Sequence, residues 1–370
     1  MPAAENSPKD SYFNQALWLG IGQLCTFAIA FLTAPVMTRY FDRVEYGTYR
    51  QILYVYTSIS SLLTMGLPSV FAYFVPRLKA AEQKTLINAI NKLFVLIGAV
   101  LSLALFLLSD ALASWLNNPE LATGLKIFSP FPLFTIPAMG VESIYTALKK
   151  TKVIAIYQVV SKLLMFLCII LPVILFHTSY RGAIIGWGCA SFITFLIAMW
   201  LKNRPYVGID AKHISGLYRQ VFNYCLPLTG AFIAGFFCNS SDQFFVSRYY
   251  GTSTYAIFIT GILTVPIIPM VTESVRNVML PMLSKSSAEG TMVQAMCTYR
   301  NAVKRTALIV IPMLAFCFAF SEDVMVALYG AKYGASSSFF RLQILKDLTT
   351  IFPYFAVLAA LGLNRLYMNI

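Results

Sequence analysis

The chain has 370 residues, 58% hydrophobic and only 12% charged, with a mean hydropathy of +0.70. A soluble domain carries about a quarter charged residues, so this composition excludes a soluble globule and describes a polytopic membrane protein. The net charge of +13 does not indicate nucleic-acid binding, because the cations cluster in short loops between apolar runs, which is a topology signal.

Ten hydrophobic helices are expected, at about 14–38, 47–76, 86–109, 124–147, 153–176, 181–201, 221–247, 254–283, 303–321 and 342–363. The runs are continuous rather than alternating, and several match the roughly 20 residues that span a bilayer core. The first ten residues carry Glu5 and Asp10 and lead into a run too long for a secretory leader, so no cleaved signal is expected. Lys and Arg distribute unevenly among the connections. The N-terminus and even connections hold 16, including Lys149, Lys150, Lys152, Lys202 and Arg204, and the odd connections hold six. Positive residues stay inside, which puts the N-terminus and even loops in the cytoplasm.

An internal repeat runs through these elements. RYFDRVEYGTY, Arg39 to Tyr49, returns as RYYGTSTYAIF, Arg248 to Phe258, at an offset of 209. Pro76-Arg77-Leu78 has its echo in Pro281-Met282-Leu283, and Ser109-Asp110 in Ser321-Glu322-Asp323. The offset drifts between about 205 and 214, as short insertions produce. A unit of six helices is an even number, so the two units are expected to be parallel repeats. The expected division is a six-helix lobe over 1–205 and a lobe of about four helices over 206–370, with counterparts of helices five and six missing.

FLTAPVMTRYF followed by DRVEYGTY, together with SSDQFFVSRYYG in the seventh helix, resembles the polysaccharide transport flippases. These carry lipid-linked sugar repeat units in bacteria and belong to the multidrug/oligosaccharidyl-lipid/polysaccharide (MOP) superfamily. The resemblance implies an all-α, MATE-like bundle of two lobes around a cavity that opens alternately to each side. It also implies that arginines of the second and eighth helices, here Arg50 and Arg276, line that cavity.

Ionisable groups inside a membrane cost roughly 2.5–3.5 kcal/mol each at a helix centre on insertion scales and face a cavity or a partner. The expected substrate-binding residues are Arg50, Lys162 and Arg276, whose charge suits a pyrophosphate head. Arg50 has an alternative reading as a snorkelling interface residue, and Arg276 as a partner of Glu273 one turn earlier. The acids Asp242, Glu273 and Glu142 are the candidates for ion coupling; the cluster Asn239 to Gln243 around Asp242 reads alternatively as helix-packing glue. Lys126 is expected at the interface, and Lys346 beside Asp347 at a helix end or in a local pair.

No catalytic residue, metal site or cofactor is expected. The chain has no P-loop, GxSxG or HExxH, only two histidines, and seven cysteines without a CxxC pair. The expected function is flipping of an undecaprenyl-pyrophosphate-linked oligosaccharide across the bacterial inner membrane. Its expected partners are that lipid-linked oligosaccharide, membrane lipids, and polysaccharide polymerase and chain-length proteins; nucleic acid is not among them. The alternatives are a cation-coupled multidrug exporter, a membrane polymerase or ligase, and an inactive truncated flippase.

Overall fold

The computed structural model describes residues 8–352 apart from 65, 213, 266–267, 273–274, 276–278, 280–281, 284–285 and 287–291. The first expected helix is α1, Pro8–Tyr40, and the second starts after only two residues as α2, Arg43–Thr64. DRVE explains the short turn. Asp42 Oδ1 accepts from Glu45 N at 2.7 Å while Glu45 reaches back to Asp42 N at 3.4 Å, a reciprocal cap that starts α2 at once. The Arg39–Tyr49 stretch is therefore mostly helix, with Phe41 and Tyr46 buried to 1% and 2% exposure.

Two of the expected spans are broken. Gly66, at φ 72, separates α2 from α3, Leu67–Phe74, and the pair bends by 45°. The fourth span becomes α6, Pro119–Phe128, α7, Pro132–Ala138, and α8, Val141–Ala147, with a 58° bend. Pro130 and Pro132 interrupt the backbone ladder at the first break, because proline lacks a donor and disfavours helix in the residue before it. The second break is at Gly140. Its φ of 90 is a conformation that only glycine adopts at little cost, and the Phe71 ring fills the space a side chain there would need.

The straight spans are α4, Ala80–Leu107, α9, Thr151–Phe176, and α10, Tyr180–Asn203, with the short α5, Ser109–Trp115, after α4. Together with α1 they give four straight spans and two bent ones between Trp18 and Tyr206, matching the six helices expected there. Further on, α11, Leu217–Gly261, bends at Gly251, where φ is 77. Residues 262–265 are not helical, so the expected eighth helix is interrupted just before Pro266. The ninth is α12, Met292–Ala319, followed by α13, Ser321–Tyr329, and α14, Ser336–Thr349. The tenth helix is expected over 342–363, but α14 ends at Thr349 and residues 350–352 are not helical; the rest of the expected range lies outside the described residues.

The repeat has a structural counterpart. Helices α4, Ala80–Leu107, and α12, Met292–Ala319, have the same length, so a single offset relates both their starts and their ends. That offset falls inside the range over which the sequence repeat drifts. Each helix is followed by a short one that starts on a buried serine, Ser109 or Ser321, with acids in its first turn. By packing, the chain divides into Met1–Ala256 and Ile257–Ile370.

Within the first unit, the start of α2 is tied to α11 by buried polar groups. Gln51 Nε2 donates to Ser247 Oγ at 2.7 Å, and Asn118 Nδ2 donates to Gln51 Oε1 at 2.6 Å and Thr48 Oγ1 at 2.9 Å. Arg248 caps the end of α5, donating to the carbonyls of Ser114 and Trp115 at 2.8 and 2.7 Å. Gly47, in the first copy of the repeated motif, packs directly on the backbone of Thr252 in the second. Gly140→Ala should destabilise the protein by about 1–3 kcal/mol through strained backbone and overpacking against Phe71. The check is thermal unfolding in detergent, with Gly20→Ala, which lies inside α1 with open space around it, as a control that should not be destabilised.

Candidate functional site

Two neighbouring cavities in the first unit share one lysine. The first, about 280 Å³, is enclosed by α1, α2, α9 and α10 and lined by Arg50, Lys162, Tyr46, Tyr49 and Trp187 among apolar side chains. Arg50 hydrogen-bonds Tyr46 one turn earlier, so its guanidinium is braced on the cavity wall. Trp187 lies in an aromatic cluster with Tyr56 and Phe128, ring centroids 5.7 and 4.9 Å away, which holds α10 against α2 and α6. An arginine and a lysine on the wall of one half-open space, with aromatic hydroxyls beside them, are groups with anion-binding chemistry: the fork of Arg can take an oxygen pair and Lys can add a mobile point charge.

The second cavity, about 390 Å³, lies at the break in the fourth span. Glu142, Ser143, Tyr157, Ser161, Lys162 and Ser191 are among its lining residues. Glu142 is the second residue of α8, placed there by the Gly140 turn. Lys162 thus borders both the Arg50 cavity and the Glu142 cavity, and no ion pair joins it to Glu142.

Of the six residues singled out by sequence, the structure gathers Arg50, Lys162 and Glu142. Asp242 lines neither cavity. It is exposed on α11, accepts from Gln243 N at 2.7 Å, and has Tyr54 and Tyr255 as electrostatic neighbours. Ser240 and Ser241 beside it line a third, apolar cavity of about 480 Å³ with Trp115, Phe236 and Phe245. Glu273 and Arg276 lie outside the described residues. Lys126 pairs with Asp110 at 3.0 Å in an exposed position, as an interfacial residue should. Among the described residues no cluster of three His, Cys, Asp or Glu could hold a metal.

The sequence family described as "Polysaccharide biosynthesis protein" matches residues 12–338. The chain belongs to this family. Succinoglycan biosynthesis transport protein ExoT of Rhizobium meliloti (strain 1021) is 22% identical over 358 residues, covering 91% of this chain and 67% of that protein. The fold is shared with lipid II flippase MurJ in its inward closed conformation. The TM-score there is 0.72 at 14% identity, covering 94% of this chain and 76% of that one. It is also shared with a MOP superfamily transporter from Pyrococcus furiosus, TM-score 0.62 at 13% identity over 98% and 86% of the two chains. An inward-facing MATE transporter gives 0.64 at 13% identity over 93% and 81%. This member of the polysaccharide biosynthesis family is thus a multi-pass membrane protein with a MATE-like fold.

One residue departs from its place in the charge pattern. Lys202 counts as a loop cation in the sequence, yet it is fully buried at the end of α10, with 0% exposure. Its ammonium donates to Asn91 Oδ1 at 2.9 Å and to the Pro137 carbonyl at 2.7 Å. The rings of Phe71 and Phe94 lie 5.6 and 5.3 Å away, within cation–π range. Position in the chain gives no sign of this, because a lysine after an apolar run is ordinarily a snorkelling end residue. Lys202→Met should lower stability by about 1–3 kcal/mol for each acceptor left unsatisfied. Lys202→Met with Asn91→Leu should recover part of that loss, since one of the two stranded acceptors is then gone. Melting temperatures of the single and double variants check this.

Proposed function

We propose that this transporter flips an undecaprenyl-pyrophosphate-linked oligosaccharide from the cytoplasmic to the outer leaflet of the bacterial inner membrane by alternating access. The observation that carries the reading is the pair Arg50 and Lys162 facing one cavity in a chain of the polysaccharide biosynthesis family. A pyrophosphate carries concentrated negative charge, and a paired Arg and Lys can bind it through charge-assisted hydrogen bonds. The relative's role in succinoglycan transport and the MurJ-like fold support a lipid-linked sugar as cargo. Arg276 is the residue we assign to the same role from a second lobe, with the lobes taken as 1–205 and 206–370.

Glu142, Asp242 and Glu273 are our candidates for coupling transport to an ion. Glu142 is the best supported, because it shares a cavity wall with Lys162. We take the N-terminus as cytoplasmic from the loop charges, which puts the α1–α2 turn outside. On this assignment the Gln51–Asn118–Ser247 node is a latch on the outer face that opens when the transporter turns outward. Polysaccharide polymerase and chain-length proteins are the partners that would take the product. A multidrug exporter, whose cargo is cationic, fits the Arg50–Lys162 cavity poorly.

Arg50→Gln and Lys162→Gln should each reduce polysaccharide production tenfold or more in cells that depend on this protein, the loss of about 1.4 kcal/mol or more of binding. Lys126→Gln, an exposed pair, should leave it unchanged. Equal output from all three variants would remove the anion role. Gln51→Leu should raise labelling of a cysteine placed at Ser247 by a membrane-impermeant thiol reagent from the outside, in a background free of native cysteines; unchanged labelling would remove the latch.

A further inference from the structure

We infer that the cavity at the break of the fourth span is the subsite for the first sugar of the lipid-linked substrate; this rests on the reading of the Arg50–Lys162 cavity as the pyrophosphate site. In a sugar pyrophosphate lipid the first sugar is bonded directly to the phosphate, so its subsite must adjoin the anion site. Lys162 borders both cavities, which provides that adjacency.

The lining fits a polyol. Ser143, Tyr157, Ser161, Ser191 and Thr194 present hydroxyls, and the Glu142 carboxylate can accept from two adjacent sugar hydroxyls. Pro68, Met139, Val141 and Met165 supply apolar surface for the C–H face of a ring. The same carboxylate would repel a phosphate, which sorts the two halves of the ligand into the two cavities.

Two hydroxyls bear on occupancy. Ser161 Oγ is buried, and the Tyr157 hydroxyl is the neighbouring polar group that interacts with it. A buried hydroxyl with so little of its hydrogen-bonding capacity used can turn to a ligand in the cavity. Ser191 Oγ donates to the Trp187 carbonyl at 2.8 Å, and its lone pairs remain to accept from a ligand. Thr135, by contrast, is taken up by Tyr56 at 2.6 Å. The volume lies at the small end of pockets that hold small molecules, about 300–1,000 Å³, which suits one sugar ring rather than a whole oligosaccharide.

The test uses the full-length protein in lipid nanodiscs. Probes are a short-chain polyprenyl pyrophosphate and its glucosyl, galactosyl and N-acetylglucosaminyl adducts, with the same sugars on phosphate-free alkyl chains. At least one adduct should bind tenfold or more tightly than the bare pyrophosphate. Ser143→Ala with Ser161→Ala should abolish that gain and leave the bare probe's affinity unchanged. Melting temperatures of the variants, within a few degrees of the wild type, show that the fold is kept. Equal binding of bare and sugar-bearing probes, or a gain that survives the double substitution, would overturn the subsite. If no pyrophosphate probe binds, the phosphate reading fails, and the alkyl glycosides decide separately: binding lost in the double variant upholds the sugar subsite, and no such binding overturns it.

Discussion

The ammonium of Lys202 on the Pro137 carbonyl is the interaction on which the site depends. A helix that breaks inside a bilayer strands carbonyls where no water can reach them, and each must find a donor within the protein. The fourth span breaks at Pro137–Gly140, and Lys202, carried in from α10, supplies the donor. Asn91 from α4 steadies the ammonium, and Phe71 from α3 packs both under it and against Gly140. Four spans thus meet at one buried cation. The break they hold open sets Glu142 on a cavity wall and leaves the space beside Lys162.

The same economy explains the first cavity. The Asp42–Glu45 cap starts α2 two residues after α1 ends, so Arg50 falls within about two turns of the helix start and is braced by Tyr46. Lys162, deep in α9, has no end to snorkel to and points into the space between α1, α2 and α10. These two charges, which the membrane would penalise, border an opening between elements. The buried polar node of Gln51, Asn118 and Ser247 lies at the same end of α2 and fixes that end against α11.

Much of this was legible in the sequence. The repeat announced itself in RYFDRVEYGTY and RYYGTSTYAIF, and α4 and α12 carry it as helices of equal length at a matching offset. Arg50, Lys162 and Glu142 stood out because charge inside an apolar run is costly, and that cost brings them to cavities. Asp242 met the same criterion and sits exposed, away from both spaces, since cost alone does not say which way a residue faces. The breaks were harder. Proline and glycine near 66–68 and 130–140 were visible, but whether they bend a span or merely decorate it depends on packing such as Phe71 against Gly140. Lys202 was hidden altogether, because burial at a helix end is decided by three other helices.

The central claim is that Arg50 and Lys162 hold the pyrophosphate of a lipid-linked sugar. A cryo-electron microscopy structure of the protein with such a lipid bound tests it most directly. The account requires both phosphorus atoms in the α1–α2–α9–α10 cavity, with phosphate oxygens within about 3 Å of the Arg50 guanidinium and the Lys162 ammonium. A pyrophosphate seated elsewhere, with this cavity holding only lipid or water, would contradict it.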